Sequence, residues 1–235
     1  MHRAVGALPL ADPVGRRRDC PRLAVALPGG LEIELSFDWR GDRWGHTLSL
    51  TPPGGGVLVL VASEEGTPEQ VWPPSPPLQA LDQQTLADGR PVALLVGMAG
   101  RSHWSASVEL DFVREAIRFD LACRHAGQPG WIGSTCRLTE AGLAHLMVSA
   151  LPGTRIEVAR TPQAGWAGQF RAWPVEIPAQ AGTVRWGYEL RLRAMLPAPP
   201  ALDDRPAWSA AALPAGSDGA GSHPEGTAGP PRTPE

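Results

Sequence analysis

Val184-Arg185-Trp186-Gly187-Tyr188-Glu189-Leu190-Arg191-Leu192-Arg193 alternates large apolar residues with polar or small ones along its whole length. A period of two places Val184, Trp186, Tyr188, Leu190 and Leu192 on one face of a strand, whereas a helical period would scatter them around the axis. The pattern recurs upstream. Leu31, Ile33, Leu35 and Phe37 share one face of a second stretch, which turns through Arg40-Gly41-Asp42-Arg43 into Trp44 to Leu50 and reads as a hairpin. Val108, Leu110 and Phe112 face one way, and Ile117, Phe119, Leu121 and Cys123 do the same across a tight turn near Glu115. The opposite faces carry Glu109 and Asp111, then Arg118, Asp120 and Arg124, charges placed to pair across strands.

Further strands fill the intervals. Val57 to Ala62 is apolar on both faces and predicts a central, fully covered strand. A Pro-rich connector, Trp72 to Pro77, precedes Leu78 to Leu86, a turn at Asp88-Gly89, and a strand from Pro91 to Met98. The segment 139–159 has two readings. Leu143, Leu146, Met147, Ala150 and Leu151 fit a helix with Thr139 as N-cap and Pro152-Gly153 as stop. Alternatively, Pro152-Gly153 turns a hairpin between Leu146 to Leu151 and Arg155 to Ala159, and the surrounding pattern favours strands. Many short alternating strands with Gly and Pro between them predict an all-β fold, an antiparallel β-sandwich or partly closed barrel with at most one short helix. That domain is expected over 21–196. Residues 1–20 read as a flexible segment, and 197–235, rich in Pro, Gly and Ala, as a disordered tail whose one large apolar group is Trp208.

All 21 basic side chains are arginine; the chain has neither lysine nor asparagine. This excludes a phosphate-loop lysine, a Schiff-base lysine and an N-glycosylation acceptor. Together with 27 glycines and 26 prolines it reads as the composition of a GC-rich genome, so arginine content is no argument for nucleic-acid binding. The net charge of −3, with basic and acidic residues interspersed, points the same way. No apolar run approaches the ~18 residues of a membrane span. The apolar stretch from Ala4 to Ala11 contains Pro9 and precedes the Arg16-Arg17-Arg18 run, the wrong order for a secretion signal, and a cytoplasmic location is the default expectation. Cys20, Cys123 and Cys136 have no metal or redox spacing. A hairpin centred on Pro129-Gly130 would set Cys123 opposite Cys136 and make a disulfide conceivable, but two buried, reduced thiols are expected.

Two clusters are candidate sites. Between two strands, Gly97-Met98-Ala99-Gly100-Arg101-Ser102-His103-Trp104-Ser105 presents Arg101, Ser102, His103 and Trp104 together on a glycine-flanked loop. The arginine fork suits a carboxylate or phosphate, and the indole suits a sugar face. The competing reading makes Trp104 the start of the next strand and part of the core. The first hairpin offers Asp38, Trp39, Asp42, Arg43, Trp44 and His46, a sugar or metal site in outline, although Asp and Gly are also ordinary turn residues and Trp44 with His46 continues a strand period. No spacing of histidines, no nucleophile elbow and no dinucleotide or phosphate loop is present, so neither metal nor cofactor is expected. The function expected from this pattern is a non-enzymatic binding or interaction module for a polar ligand, carbohydrate included, or for a protein partner. The alternatives are a carbohydrate-active enzyme using the Arg101/His103 loop, and a scaffold protein acting through its tail.

Overall fold

Each stretch of period-two alternation forms a strand, and each carries its apolar face inward. The computed structural model describes residues 20–111 and 114–193. The expectations for the two terminal segments, for Trp208 and for Phe112 lie outside the described residues. The first sheet has seven antiparallel strands. Four come in a meander: β1 (Arg22–Leu27), β2 (Leu31–Trp39), β3 (Trp44–Thr51) and β4 (Leu58–Ser63). The chain then crosses to a second sheet and builds another meander from β5 (Leu78–Thr85), β6 (Pro91–Ala99), β7 (Ser102–Asp111) and β8 (Ala116–His125). It returns as β9 (Ser134–Leu138), passes through one helix, α1 (Glu140–His145), and adds β10 (Leu146–Ala150) to the second sheet. A hairpin of β11 (Thr154–Gln163) and β12 (Trp166–Pro174) completes the first sheet, and β13 (Gly182–Leu192) the second. The orders are β1-β2-β3-β4-β9-β12-β11 and β10-β13-β8-β7-β6-β5. Both sheets stay open at their edges, so the architecture is a β-sandwich and not a barrel.

The inner faces meet in one core. Leu35, Phe37, Leu48 and Leu50 of the first sheet face Val108, Phe119, Trp186 and Tyr188 of the second, and all are buried. Tyr188 ties the layers together. It stacks on Phe119 beside it at 4.6 Å and takes the edge of Phe170, from the opposite sheet, at 5.3 Å. Edge-to-face and offset contacts of this kind add about 1 kcal/mol each beyond the area they bury.

Several expectations change at the level of pairing. β4 is central in its sheet but only half covered: Val57, Leu58 and Val59 are exposed, while Leu60 and Val61 are buried. A register shift opposite Leu48 and Ser49 leaves Leu60 as an extra residue, turning two consecutive apolar side chains into the protein. α1 covers this half. Thr139 caps the helix by accepting from Gly142 N at 3.0 Å, and its own hydroxyl donates to Val59 O at 2.6 Å. A Cβ on Gly142 would lie 2.0 Å from Leu60 O, so the helix approaches the strand at a distance only glycine allows.

The segment 139–159 contains both a helix and strands, but not the hairpin. β10 pairs with β13 and β11 pairs with β12, so Pro152-Gly153 carries the chain from one sheet to the other. The Pro129-Gly130 hairpin is likewise absent. β8 and β9 belong to different sheets, and Trp131 between them donates its indole N–H to Pro74 O at 2.9 Å. Cys123 and Cys136 are free, buried thiols, and burial pushes Cys123 up to about 12. On the β7–β8 pair Glu109 does stand opposite Arg118, but its ion pair goes to Arg90 at 3.1 Å, while Arg118 lies 3.8 Å from Asp120. No helix among the described residues is long and apolar enough to cross a membrane.

The crossing from β4 to β5 is held by a buried arginine. Arg43 is 2% exposed. Its guanidinium grips the Asp42 carboxylate and donates to the carbonyls of Glu65 and Thr67, both at 3.0 Å. These bonds hold Asp42 below the ordinary carboxylate range. Further along, Ser75 Oγ donates to Thr135 O at 2.9 Å and accepts from Thr135 N at 3.1 Å. Arg43→Ala removes two side-chain anchors of the first turn of this connector and leaves the Glu65 carbonyl without its donor. It is expected to cost about 3 kcal/mol, read from the urea midpoint at an unchanged slope.

Candidate functional site

The hairpin of β6 and β7 separates the residues that the sequence groups. Its turn is Gly100-Arg101, with Gly100 at φ 56°. From there the side chains alternate. Ser102 and Trp104 point inward and are buried; Arg101 and His103 are exposed. Trp104 belongs to the core, edge-on to Trp186 and Trp72, each at 6.1 Å. Gly97 lies opposite it, where a Cβ would meet Pro77 O at 1.9 Å. This glycine makes room for the connector to pass under the sheet.

The first hairpin is also divided. Asp38 lies 3.6 Å from Arg40, Asp42 is taken by Arg43, and Trp39 meets Trp44 edge-on at 5.3 Å. His46 faces the interior, its ring 5.1 Å from Phe119, and burial lowers its pKa to about 4. Trp44 and His46 therefore line the space between the sheets, far in the fold from His103 on the outer face. No group of three or more His, Cys, Asp or Glu among the described residues is placed to hold a metal ion.

What the outer face of the second sheet does present is a groove of about 580 Å³. Two neighbouring cross-strand rows form it. One runs Thr183, Arg124, His103, Met98; the other runs Ala122, Ser105, Val96, Ala80, with Arg185 continuing that row beyond the groove. The short side chains of Ser105 and Ala122 make a floor. Arg124 and His103 rise on one side of it, and Val96 and Met98, at 55% and 46% exposed, make an apolar wall. Gln79 closes the end near β5, its amide bridging both Met98 N and Met98 O at 3.1 and 3.2 Å. The guanidiniums of Arg124 and Arg185 form no hydrogen bond or ion pair among the described residues, in contrast to Arg43, Arg90 and Arg191, which are all paired.

Of the groove residues, the sequence reading singled out only His103 together with the buried Trp104. It included Met98 and Ser105 in the same loop without giving them a role, and it did not place Arg124, Val96, Ala122 or Thr183 in a site. A signal for Met98 and Arg124 existed. A tight turn at Gly100-Arg101 sets Met98 opposite His103, and the turn near Glu115 sets His103 opposite Arg124. Neither a scan against protein-family models nor a search of the curated proteins finds a match for this chain.

The division of this hairpin has a direct test. Trp104→Ala is expected to lose about 3–5 kcal/mol of stability, as aromatic-to-alanine changes in cores do. Arg101→Ala and His103→Ala are expected to stay within about 0.5 kcal/mol of the wild type. Chemical denaturation of the three variants, side by side, checks all of this.

Proposed function

We propose that this protein is a non-enzymatic binding module, and that the groove on the outer face of its six-stranded sheet takes a small molecule with an anionic group and an apolar body. The observation that carries the reading is Arg124. It is an unpaired arginine beside His103, at the rim of a groove whose β6 wall, Val96 and Met98, is apolar. An unpaired guanidinium offers a planar fork of donors that matches a carboxylate, sulfate or phosphate in a bidentate way. Val96 and Met98 supply surface for the apolar part, and methionine adapts to varied shapes. The volume falls within the ~300–1,000 Å³ usual for small-molecule sites.

Sugar stacking receives less support. Trp104 and Trp186 are buried, and Trp39, at 46% exposed, sits on the β2–β3 hairpin and not in the groove. The rigid sheet beneath the groove suits binding without rearrangement, because its floor is backbone already committed to ladder hydrogen bonds.

A thermal-shift screen of the full chain against small aromatic and aliphatic carboxylates and phosphate esters tests the proposal. At a hundredfold excess over its dissociation constant, a ligand of the folded state adds about 2.7 kcal/mol of stability. The shift is expected to vanish in Arg124→Gln and in Val96→Asp, to shrink in His103→Ala, and to weaken as salt is raised. Hits that survive both Arg124→Gln and Val96→Asp, or a flat screen of folded protein, overturn it.

A further inference from the structure

Between the sheets, on the side away from the groove, a cavity of about 20 Å³ lies among Phe37, His46, Glu65, Phe119, Ser134 and Tyr188. It interrupts an otherwise apolar core with polar atoms that have no partner in the protein. His46 Nε2, both carboxyl oxygens of Glu65 and the hydroxyl of Tyr188 are all buried, and none has a hydrogen-bond partner in good geometry, although Ser63 lies near Glu65, and Ser134 and Cys136 near Tyr188. One orphaned group of this kind costs about 1–3 kcal/mol, and native structures rarely tolerate several at one point.

The arginines nearby attract the Glu65 carboxyl, but neither donates a hydrogen bond to it. Arg43 spends its donors on Asp42 and on the carbonyls of Glu65 and Thr67, and Arg40 lies against Asp38. The Cys136 thiol, from β9, is held protonated by burial, as is the Tyr188 phenol of β13. The Ser134 hydroxyl accepts from Trp186 Nε1 at 3.0 Å, which leaves its own O–H free beside the Tyr188 phenol. The cavity meets the ~10–15 Å³ that one water molecule requires, and its walls offer the two to four polar partners that hold one.

We propose that this cavity is an internal hydration site, in which one water molecule bridges His46 Nε2, the Glu65 carboxyl and the Tyr188 hydroxyl. A neutral molecule suits it because the site is neutral between about pH 4 and pH 7. Burial raises Glu65 from 4.5 to about 7 and lowers His46 from 6.5 to about 4. The water then donates to the imidazole nitrogen and accepts from the phenol or the carboxylic acid. This site is independent of the outer groove.

Protonation links the site to stability, and the signs are opposite for its two titrating members. The folded protein holds the Glu65 proton more tightly than the unfolded chain. The Glu65 contribution is therefore complete below pH ~4.5 and is lost as pH rises through about 7. His46 behaves inversely, its contribution being present above pH ~6.5 and lost as pH falls through about 4. In the wild type the two slopes oppose each other over the range they share.

The experiment counts long-lived internal waters in the full chain by oxygen-17 relaxation dispersion, in the wild type, Glu65→Leu and Tyr188→Phe. Glu65→Leu fills the site with hydrocarbon, and Tyr188→Phe removes only one hydroxyl, so either can report should the other fail to fold. Loss of one slowly exchanging water in the folded variants supports the site, and an unchanged count overturns it. In urea titrations, the folding equilibrium of Glu65→Gln is expected to gain on the wild type by roughly two orders of magnitude between pH 4.5 and 7.5. His46→Gln is expected to change in the opposite direction, gaining on the wild type as pH falls from 6.5 to 4. Parallel pH profiles for wild type and Glu65→Gln would overturn the protonated, water-bonded state of Glu65.

Discussion

A buried guanidinium organises one end of this sandwich. Arg43 sits at the tip of the β2–β3 hairpin, yet its donors reach across to the carbonyls of Glu65 and Thr67, the first residues of the passage between the sheets. The Glu65 carbonyl leaves the ladder when β4 ends and has this donor alone among the described residues, whereas Thr67 O also accepts from Gln70 N at 3.1 Å. The rigid fork of arginine can serve two carbonyls and a carboxylate at once, which a lysine ammonium on its flexible stem does with less fixed geometry. Once the first turn is anchored, Ser75 and Trp131 fasten the rest of the connector to β9 and to the loop before it. The connector in turn places Glu65 over the interior cavity and Trp72 against Trp104.

β7 shows how a period of two distributes roles. Trp104 and His103 are neighbours in sequence, but one closes the core against Trp186 and the other stands on the outer face beside Arg124. The same strand thus carries core and surface groove without compromise. Short residues at Ser105 and Ala122 cost the core nothing, since they face outward, and they lower the floor between taller rows. Grooves on sheet faces arise in this way from side-chain length alone, with the backbone unchanged.

Faces were legible in the sequence; partners were legible only across short turns. Val184 to Leu192 and Leu31 to Phe37 declare which side is buried, because alternation is a local property. The β2–β3 and β7–β8 hairpins follow from their turns. Pro152-Gly153 and Pro129-Gly130 carry the same local chemistry, yet each joins strands of different sheets. What decides between a hairpin and a crossing is the burial available to the next strand, and that depends on residues far away in the chain. The candidate site was partly visible for the same reason. His103 lies beside a turn that can be read, but Thr183 reaches the groove only through the β8–β13 pairing. Glu65 gave no signal, since a carboxylate after a strand ordinarily points to solvent.

The first sheet has a seam. Its first four strands and its last three are joined only where β4 meets β9, through Val61 with Leu138, Ala62 with Arg137 and Ser63 with Cys136. The whole β5–β8 meander lies in the loop between these partners. Bringing such distant segments together carries an ordering cost on the order of 4 kcal/mol, with no reward until the pairs form. Two locally paired meanders therefore assemble with little loop closure, and joining the halves of the first sheet comes afterwards. A topology of this kind favours a late, non-local closure, as in slow-folding β proteins. Until the seam closes, the free backbones of β4 and β9 remain available for pairing with another chain.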